Sequence, residues 1–430
     1  MFSKLYQWFI QNKVFLQLII IVNMVFATNA WANLTFGNAS GLGNAYSGEA
    51  VSAEDASTTF YNPAGLTYIK KPQLVLASLG VYPYARFTGT TTYLPASFTQ
   101  HGQAASKVYA LLSSFFYSYP FCNNKVTFGI GATPILGFAI ANFRNDSIIR
   151  YAGTKSQLLI FGLTPAISYA VNDKLSIGMG LDLDYLIAEF ESQNQFLGTP
   201  GVTPDQNSHN YAKGPGVGVH GGVLYQLNPK TRIGLAYHSI VSFHPTGTSN
   251  FEIPGKPVDL VYQDTHFKFK FQNPPITSLS VSYDIDPSWT AMGTLDYIEW
   301  SRLRTLTSTN NASINSAINL SLITHYLNEW DFVAGANYRF NENWLFRFGA
   351  GYATAFTTSN IPDALQGAQS VILATGAKYI LNQAFNFDFG LYERCLLSSA
   401  NNNFTDAVTV QNGKHYYSLT FLGAQMIWNI

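Results

Sequence analysis

Residues 175–187 read LSIGMGLDLDYLI, a stretch in which apolar side chains occupy every second position. Successive side chains of a β-strand point to opposite faces of the sheet, so this spacing predicts a strand with two chemically different faces. One face carries Leu175, Ile177, Met179, Leu181, Leu183, Tyr185 and Ile187, and the other carries Ser176, Gly178, Gly180, Asp182 and Asp184.

The same alternation returns along most of the chain. We identify fourteen such segments, at 73–86, 106–121, 126–141, 157–171, 175–190, 214–227, 231–243, 274–284, 288–302, 329–340, 343–356, 370–381, 385–398 and 414–430. Every second connection is very short, at Cys122–Lys125, Val171–Lys174, Asn228–Lys230, Asp284–Ser288, Phe340–Asn343 and Leu381–Ala384. Short turns that alternate with long loops are typical of outer-membrane barrels. Residues 72–430 are therefore predicted to form a 14-stranded antiparallel transmembrane β-barrel, an all-β membrane protein.

Composition supports a membrane protein. The chain has 430 residues, of which 47% are hydrophobic and only 11% are charged, whereas a soluble domain is about 25% charged. After the N-terminus no uninterrupted apolar run approaches the ~20 residues that a membrane helix needs. Since only helices and closed barrels can cross a bilayer, low charge without such a run favours a barrel. A soluble β-sandwich would need far more surface charge, and the zero net charge gives nucleic-acid binding no support.

The N-terminus has the pattern of a secretory signal peptide over residues 1–32. Lys4 and Lys13 precede the apolar stretch Val14–Phe26. Ala30 and Ala32 occupy the two positions at which signal peptidase recognises small residues. We expect the mature chain to begin at Asn33. The alternative is an N-terminal membrane anchor, but the apolar stretch is short and two polar residues interrupt it.

Residues 33–71 lack the alternation and are rich in Gly, Ala, Ser and Asn. A piece of this length before the first strand is expected to fold back into the lumen as a plug. Within it, Asn62-Pro63-Ala64 predicts a tight turn, because Asn caps turns and Pro fixes its own φ. Leu34 and Phe36 lie at the mature N-terminus, where apolar side chains are unusual unless they are buried.

The third segment contains Gly129, Gly131, Pro134 and Gly137. Proline offers no N–H to a ladder, and glycines permit a bulge. Unpaired backbone groups that face lipid are costly, so a mid-span proline favours a kinked strand with a lateral gap. The alternative is a harmless bulge at a strand end.

Two long outer loops, 191–213 and 244–273, contain several apolar residues on the water side of the predicted barrel. Such loops can form a groove that collects hydrophobic ligands. The alternative is that these side chains pack among themselves. The candidate ligand-binding residues are Phe196, Leu197, Val202, Phe251, Ile253, Val258 and Leu260.

A ligand carboxylate would need a cation or clustered donors. If the Phe and Leu residues face lipid, Arg347, Lys378, Arg394 and His220 point inward, and so do Asp182, Asp184 and Asp388. Most of these charges are expected to pair across the lumen. We choose Arg347 as the candidate partner of the ligand head group.

Nothing in the sequence indicates catalysis or a cofactor. There is no Gly-x-Ser-x-Gly elbow, no His-Glu-x-x-His, and no Cys/His cluster with metal-ligand spacing. We therefore predict a protein that is not an enzyme and has no metal. Cys122 and Cys395 fall at opposite ends of the predicted barrel, so no disulfide is expected although the compartment would permit one.

Residues Ser40–Lys71 read SGLGNAYSGEAVSAEDASTTFYNPAGLTYIKK. This stretch resembles the N-terminal plug of the FadL-type family of long-chain fatty acid and aromatic-hydrocarbon transporters. The specific matches are Gly41–Gly48 and Asn62-Pro63-Ala64, preceded by Glu54-Asp55. Weaker echoes follow in the family's order at Leu163–Tyr169, Thr231–Ser239, Trp289 with Glu299-Trp300-Ser301, and Ile361-Pro362-Asp363.

The resemblance covers essentially the whole mature chain. It implies a fourteen-stranded barrel with a plug, in which ligand is captured at outer loops, held in an apolar pocket that the N-terminus reaches, and released sideways at the third strand. One departure is the C-terminus, Trp428-Asn429-Ile430, since such barrels usually end in an aromatic residue that the assembly machinery recognises.

These observations predict passive uptake of long-chain fatty acids or similar hydrophobic molecules across the bacterial outer membrane. The expected partners are the ligand, outer-membrane lipid with lipopolysaccharide, and the barrel-assembly machinery during biogenesis, for a protein that is a monomer. The alternatives are a channel for aromatic hydrocarbons, a general porin, and a structural or adhesive surface protein.

Overall fold

A computed structural model describes residues 37–94, 97–194, 205–252, 265–303, 305–310, 318–323, 326–356, 369–397, 400–405 and 409–430. Several predictions fall outside this part of the chain. They concern the signal peptide at 1–32, Leu34, Phe36, Phe196, Leu197, Val202, Ile253, Val258, Leu260 and the Ile361-Pro362-Asp363 match. For Phe251 only the backbone is described.

The described residues form fourteen strands, several of them in two or three segments. They are β1 (Gln73–Tyr93), β2 (Phe98–Lys107 and Ala110–Phe121), β3 (Val126–Asn142), β4 (Lys155–Ala170), β5 (Leu175–Asn194), β6 (Gln206–Asn228), β7 (Thr231–His238, Val241–Phe243 and Thr246–Glu252), β8 (Thr265–Asn273 and Ile276–Asp284), β9 (Trp289–Ile298 and Thr305–Asn310), β10 (Ile318–Ile323 and Glu329–Arg339), β11 (Trp344–Ala353), β12 (Ser370–Ile380), β13 (Phe385–Leu396 and Ala400–Thr405) and β14 (Thr409–Asn429).

Each strand pairs antiparallel with its neighbours in the chain. The last strand also pairs with the first along its whole length, from Gln73↔Asn429 to Tyr93↔Thr409, and this closes the sheet. The predicted 14-stranded antiparallel barrel is therefore confirmed. Short turns lie at one end, which we call the short-turn end, and the longer connections lie at the other, the long-loop end.

The strands extend beyond the predicted spans toward the long loops. β1 reaches Tyr93 instead of residue 86, and β6 begins at Gln206 instead of residue 214. These extensions contain Thr, Asn and Gly rather than alternating apolar residues. They are held extended by backbone hydrogen bonds to the neighbouring strand rather than by an apolar face that contacts lipid.

The outer surface is apolar, as the alternation requires. On β5, the outward-facing Met179 is 67% exposed, while Asp182, three residues further on and facing inward, is 3% exposed. A continuous apolar outer surface would be costly in water and is stabilised by contact with acyl chains. In the described part of the chain, no helix is long and apolar enough to cross a membrane.

Residues 37–70, here called the N-terminal segment, lie inside the barrel in its short-turn half. The segment contains three four-residue helices, α1 (Ala39–Leu42), α2 (Glu49–Ser52) and α3 (Thr58–Tyr61), and a 3₁₀ helix (Pro63–Tyr68). Helices this short are not stable alone. Hydrogen bonds to inward-facing wall side chains hold them, as from the Ala39 N–H to Gln425 (2.9 Å) and the Gly48 N–H to Thr294 (2.7 Å).

Inward-facing glycines let the backbone of this segment approach the wall closely. A Cβ at Gly376 would lie 2.7 Å from the Cα of Gly43, and one at Gly178 would overlap the backbone of Pro63 and Ala64. Only a residue without a side chain permits such an approach. The glycines that seemed in the sequence to be merely the polar half of an alternation are thus the contact surface for the N-terminal segment.

Candidate functional site

The inner wall changes character at mid-height. On β5 the inward face runs from Asp182 and Asp184 to Leu186 and Ala188, all of them buried. The same change occurs on other strands, so large apolar side chains make up much of the lining in the long-loop half of the lumen, although polar residues such as Gln411 and His415 are buried there as well. We call this lining the inner apolar belt; its fully buried members include Phe87, Ile160, Leu186, Phe243, Phe271, Ile298, Tyr392 and Phe421.

Ladder register assembles the belt from neighbouring strands. Phe243 of β7 is paired with Phe271 of β8, and Tyr392 of β13 with Phe421 of β14. Paired residues share a face of the sheet, so each pair presents two rings to the same part of the lumen. A hydrophobic ligand that entered from the long-loop end would meet this surface before it reached the N-terminal segment.

Aromatic side chains and a buried ion pair extend the belt on one side. Trp300 stacks on Phe356 with ring centroids 4.8 Å apart, and its indole N–H donates to Glu329 at 2.8 Å. The guanidinium of Arg394 donates to the same carboxylate at 2.6 Å and to Ser370 at 2.7 Å. Arg394 therefore follows the pairing expected from the sequence and is not a free cation.

Arg347, the predicted head-group partner, lies beside the N-terminal segment. Its guanidinium donates to both oxygens of Glu54, at 3.0 and 2.6 Å, and to Asp388 at 2.9 Å. The amine of Lys378 is 3.5 Å from Glu54 and 3.8 Å from Asp388. Two cations and two carboxylates are balanced in this group, which we call the Arg347 cluster. A ligand carboxylate would have to replace Glu54 to meet Arg347, and that role stays a prediction.

The ionisation of Glu54 follows from its neighbours. Burial alone would raise the pKa of this carboxyl, but the charges of Arg347 and Lys378 outweigh burial and hold the pKa well below its usual range. Glu54 is therefore negative at neutral pH. The cluster ties the N-terminal segment to β11, β12 and β13 by charge.

The predicted Asn62-Pro63-Ala64 turn joins the N-terminal segment to the wall. The buried Asn62 accepts a hydrogen bond from the Ala64 N–H at 3.1 Å. Its side-chain amide donates to the carbonyls of Ala50, at 2.6 Å, and Val223, at 3.2 Å. Pro63 begins the 3₁₀ helix, a position where its missing N–H costs nothing.

A second group of polar side chains holds the other side of the segment. Asp182 and His220, both predicted to point inward, meet at 2.7 Å, and His238 lies 3.4 Å from the same carboxylate. The Nε2 atoms of His220 and His238 donate to the carbonyls of Thr59, at 3.0 Å, and Phe60, at 2.9 Å. Sequence reasoning missed His238, whose position opposite His220 depends on the register of β6 and β7.

The ladder between β2 and β3 is incomplete. Pairing runs along the short-turn half and stops at Phe115↔Ala132. Beyond that point, the described backbone of residues 133–141 has no ladder partner on β2, and the strands meet again where the Asn142 N–H donates to Ser106 Oγ at 2.8 Å. We call this stretch without ladder pairs the β2–β3 seam; at its start the hydroxyls of Ser114 and Thr133 still lie 2.9 Å apart.

The other edge of β3 is irregular as well. Its pairing with β4 shifts register between Pro134 and Leu136 and again between Phe138 and Ala141. Pro134, which has no N–H to donate to a ladder, adjoins the first shift, and Gly137 pairs with Leu159 between the two shifts. Gly129 and Gly131 lie instead in the regularly paired part of the strand.

The inner apolar belt can be recognised in the sequence where the alternation of apolar and polar residues breaks down. Residues 158–161 read Leu-Leu-Ile-Phe and residues 185–188 read Tyr-Leu-Ile-Ala, so both faces of the strand are apolar there. Loss of alternation near the long-loop ends of several strands marks the height at which the lumen becomes hydrophobic.

The free thiols of Cys122 and Cys395 lie far apart. Cys122 is in the exposed turn after β2, at the short-turn end, and Cys395 is near the long-loop end of β13.

Comparisons with known proteins agree with this architecture. The model of a family described as outer membrane protein transport protein (OMPP1/FadL/TodX) matches residues 23–421. The chain is 24% identical over 410 residues to the long-chain fatty acid transport protein of Escherichia coli (strain K12), covering 85% of this chain and 88% of the relative. It is 26% identical over 392 residues to outer membrane protein P1 of Haemophilus influenzae, covering 82% of this chain and 83% of the relative.

Solved structures share the fold. A FadL homologue from Pseudomonas aeruginosa superposes with a TM-score of 0.80 at 16% identity, covering 93% of this chain and 100% of the homologue. The toluene transporter TbuX of Ralstonia pickettii superposes with a TM-score of 0.65 at 21% identity, covering 91% of this chain and 98% of TbuX.

Proposed function

The chain belongs to the outer membrane protein transport family (OMPP1/FadL/TodX), and from this premise we propose that it takes up long-chain fatty acids across the outer membrane. Its broader role is that of the family, an outer-membrane transporter of hydrophobic substrates. The outer-membrane location predicted from the sequence is confirmed by these relatives. The members that it resembles are transporters and channels rather than enzymes.

The inner apolar belt is the observation that carries the proposal. A porin for polar solutes needs a polar, water-filled lumen, whereas the long-loop half of this lumen is lined by rings and aliphatic side chains such as Phe243, Phe271 and Phe421. Burial of a hydrocarbon chain against such a surface contributes about 0.8 kcal/mol per CH₂ group. A long acyl chain therefore gains more from the belt than a single aromatic ring does.

We assign the N-terminal segment the role of a plug, with 33–71 as its proposed limits. Its position in the short-turn half would block a straight path through the barrel, and this is the reason to prefer a gated transporter to an open porin. Polar contacts join it to the wall at Gln425, Thr294 and the Arg347 cluster. Contacts of this kind can exchange for water or for a ligand head group when the segment shifts.

Release is proposed to occur sideways through the β2–β3 seam. Backbone groups without ladder partners are costly where they face lipid, so an opening retained at this height suggests a use. A ligand held in the belt would reach the bilayer there without crossing the N-terminal segment. Capture at the long loops is proposed from their apolar residues.

A comparison of oleate with toluene tests the substrate class. We expect cells that make the protein, in a host without its own transporter, to take up labelled oleate faster than control cells and to show little change with toluene. Faster uptake of toluene than of oleate would refute the fatty acid proposal.

A matched pair of variants tests the belt. Phe243→Ala removes a ring that is fully buried in the lumen, while Phe332→Ala removes a ring that is 50% exposed on the outer surface. The first should weaken oleate binding, measured with purified protein in detergent, and the second should not. Equal binding by the two variants would show that the belt does not hold the ligand.

A further inference from the structure

Three neighbouring strands bring one carboxylate and two imidazoles together at mid-height of the lumen. We propose that Asp182 of β5, His220 of β6 and His238 of β7 bind a divalent transition metal ion, with zinc as the best-fitting class, beside the N-terminal segment. The site lies in the wall, apart from the belt, and does not depend on which hydrophobic substrate the protein carries.

The ligand atoms are close enough to share one ion. The Nδ1 atom of His220 is 2.7 Å from Asp182 Oδ1, and Nδ1 of His238 is 3.4 Å from Asp182 Oδ2. One ligand atom from each of the three residues can be chosen so that all lie within 4.8 Å of one another. Zinc bonds to nitrogen and oxygen are about 2.0–2.2 Å long, so small side-chain rotations would place an ion within reach of all three.

The hydrogen bonds on the far side of each ring fix which nitrogen faces the site. Both Nε2 atoms point at main-chain carbonyls, of Thr59 and Phe60, and a carbonyl only accepts hydrogen bonds. Each Nε2 therefore carries the proton, and in a neutral ring Nδ1 turns its lone pair toward Asp182. A carboxylate and an imidazole lone pair repel each other unless a proton or a cation lies between them. Metal-binding histidines usually donate their other N–H to a carbonyl or carboxylate in this way.

A second buried carboxylate lies on the same strand beside the site. Asp184 follows Asp182 on the same inward face, is 3% exposed, and its two oxygens have no hydrogen-bond partner among the described residues. Buried carboxylates are costly without a counter-charge.

The backbone prepares the site. His220 and His238 are direct cross-strand partners, and their rings stack with centroids 4.9 Å apart and planes 14° apart. Gly180 faces His220 across the ladder, and a Cβ at that position would overlap the ring. Ligands on rigid strands are held more precisely than ligands on loops. Imidazole and carboxylate together suit zinc or its neighbours better than calcium or magnesium.

An ion at this place would link three strands to the N-terminal segment through the Thr59 and Phe60 carbonyls. The two carbonyls lie three and two residues before Asn62, so the link is part of the attachment of the Asn62-Pro63-Ala64 turn. Bound metal would make each histidine N–H a stronger donor and so hold α3 more firmly against the wall.

The test uses the purified full-length mature protein in detergent, stripped with a chelator and titrated with Zn²⁺ by calorimetry. We expect one equivalent to bind. His220→Gln and His238→Gln should weaken binding by more than about a hundredfold, since even the loss of an outer hydrogen-bond partner weakens metal affinity 10–100-fold. Glutamine retains an amide nitrogen near the Nε2 position, so the bond to the carbonyl is kept while the Nδ1 ligand is lost.

A second cluster supplies the control. Glu189, Glu191 and His209 form the other group of potential ligands in the described residues. His209→Gln should leave Zn²⁺ binding unchanged. If His209→Gln lost Zn²⁺ binding while His238→Gln kept it, the assignment would be overturned. Absence of stoichiometric binding to the wild-type protein would also overturn it. X-ray absorption at the zinc edge of the wild-type complex needs no variant: two imidazole ligands support the site, and none or one refutes it.

Discussion

Replacement of Glu54 by Gln should loosen the N-terminal segment without opening the barrel. Glu54 is the only member of the Arg347 cluster that belongs to the segment among its described residues; Arg347, Lys378 and Asp388 belong to the wall. The amide retains the shape of the carboxylate but not its charge. The wall would then carry two cations against one carboxylate, with Arg347 still bonded to Asp388.

The size of the effect follows from burial. Removal of one partner from a buried ion pair costs about 3–5 kcal/mol. Asp388 still serves Arg347, and the Glu54 side chain is 25% exposed, so the lower end, ~3 kcal/mol, is the reasonable figure. At about 1.4 kcal/mol per factor of ten, the population of the detached segment should rise roughly a hundredfold.

Hydrogen exchange measured by mass spectrometry is the appropriate assay, because it reports local opening separately from global unfolding. Amides of residues 41–66 should lose about two orders of magnitude of protection, while amides of β11 and β13 keep theirs. Asp146→Asn is the matched control. It removes the carboxylate of the Arg144–Asp146 pair, whose side chains are 83% and 69% exposed, and it should change nothing measurable.

Two outcomes would refute the reasoning. Equal protection of the segment in Glu54→Gln and Asp146→Asn would show that the Arg347 cluster does not hold the segment. A parallel loss of protection in the strands would show that the cluster stabilises the barrel as a whole and that the segment is not a separate unit.

Two further predictions concern the seam and pH. Pro134→Ala restores an N–H to β3 next to the register shift and should make this strand more regular beside the β2–β3 seam, so oleate uptake should fall while heat-modifiable mobility on gels shows an intact barrel; unchanged uptake would argue against lateral release. Because the pKa of Glu54 is held well below its usual range, its stabilising effect is present above the ordinary carboxyl pKa and is lost only as pH falls through the depressed value. Segment protection, corrected for intrinsic exchange, should therefore persist at pH 4, and loss of the wild-type advantage over Glu54→Gln at that pH would contradict the assignment.

The barrel could be predicted because its cause is local. Alternation of the kind seen at 175–187 fixes which side chains face lipid, and each short turn fixes where a strand reverses. The inward positions of Asp182, His220, Arg347 and Asp388 followed from the same rule, and the structure places each of them there. A period of two therefore supplied both the fold and part of the candidate site.

Contacts between side chains could not be predicted, because they depend on register between distant parts of the chain. The Arg347 cluster needs Glu54 to lie against β11, at a separation of almost three hundred residues. His238 becomes a partner of His220 only through the pairing of β6 with β7. The β2–β3 seam is a stretch where ladder pairs between two strands are absent. The sequence of one strand shows its proline but not which pairs with the neighbouring strand are lost.

The division between wall and segment fits the gated transporter that we propose. The wall is a closed ladder in which the described strands pair on both edges over most of their length; the β2–β3 seam interrupts it, and the long-loop extensions Ile318–Ile323 and Ala400–Thr405 pair on one edge. The segment consists of four-residue helices that cannot persist alone, and it is held by separate polar groups: the Arg347 cluster on one side and the two histidines on the other. These attachments are a handful of polar contacts, whereas ladder pairing runs around the whole barrel, and we propose that a ligand or ion that acts on one of them moves the segment while the wall stays folded. The sites at which the segment is attached are therefore the places where we expect regulation of passage to act.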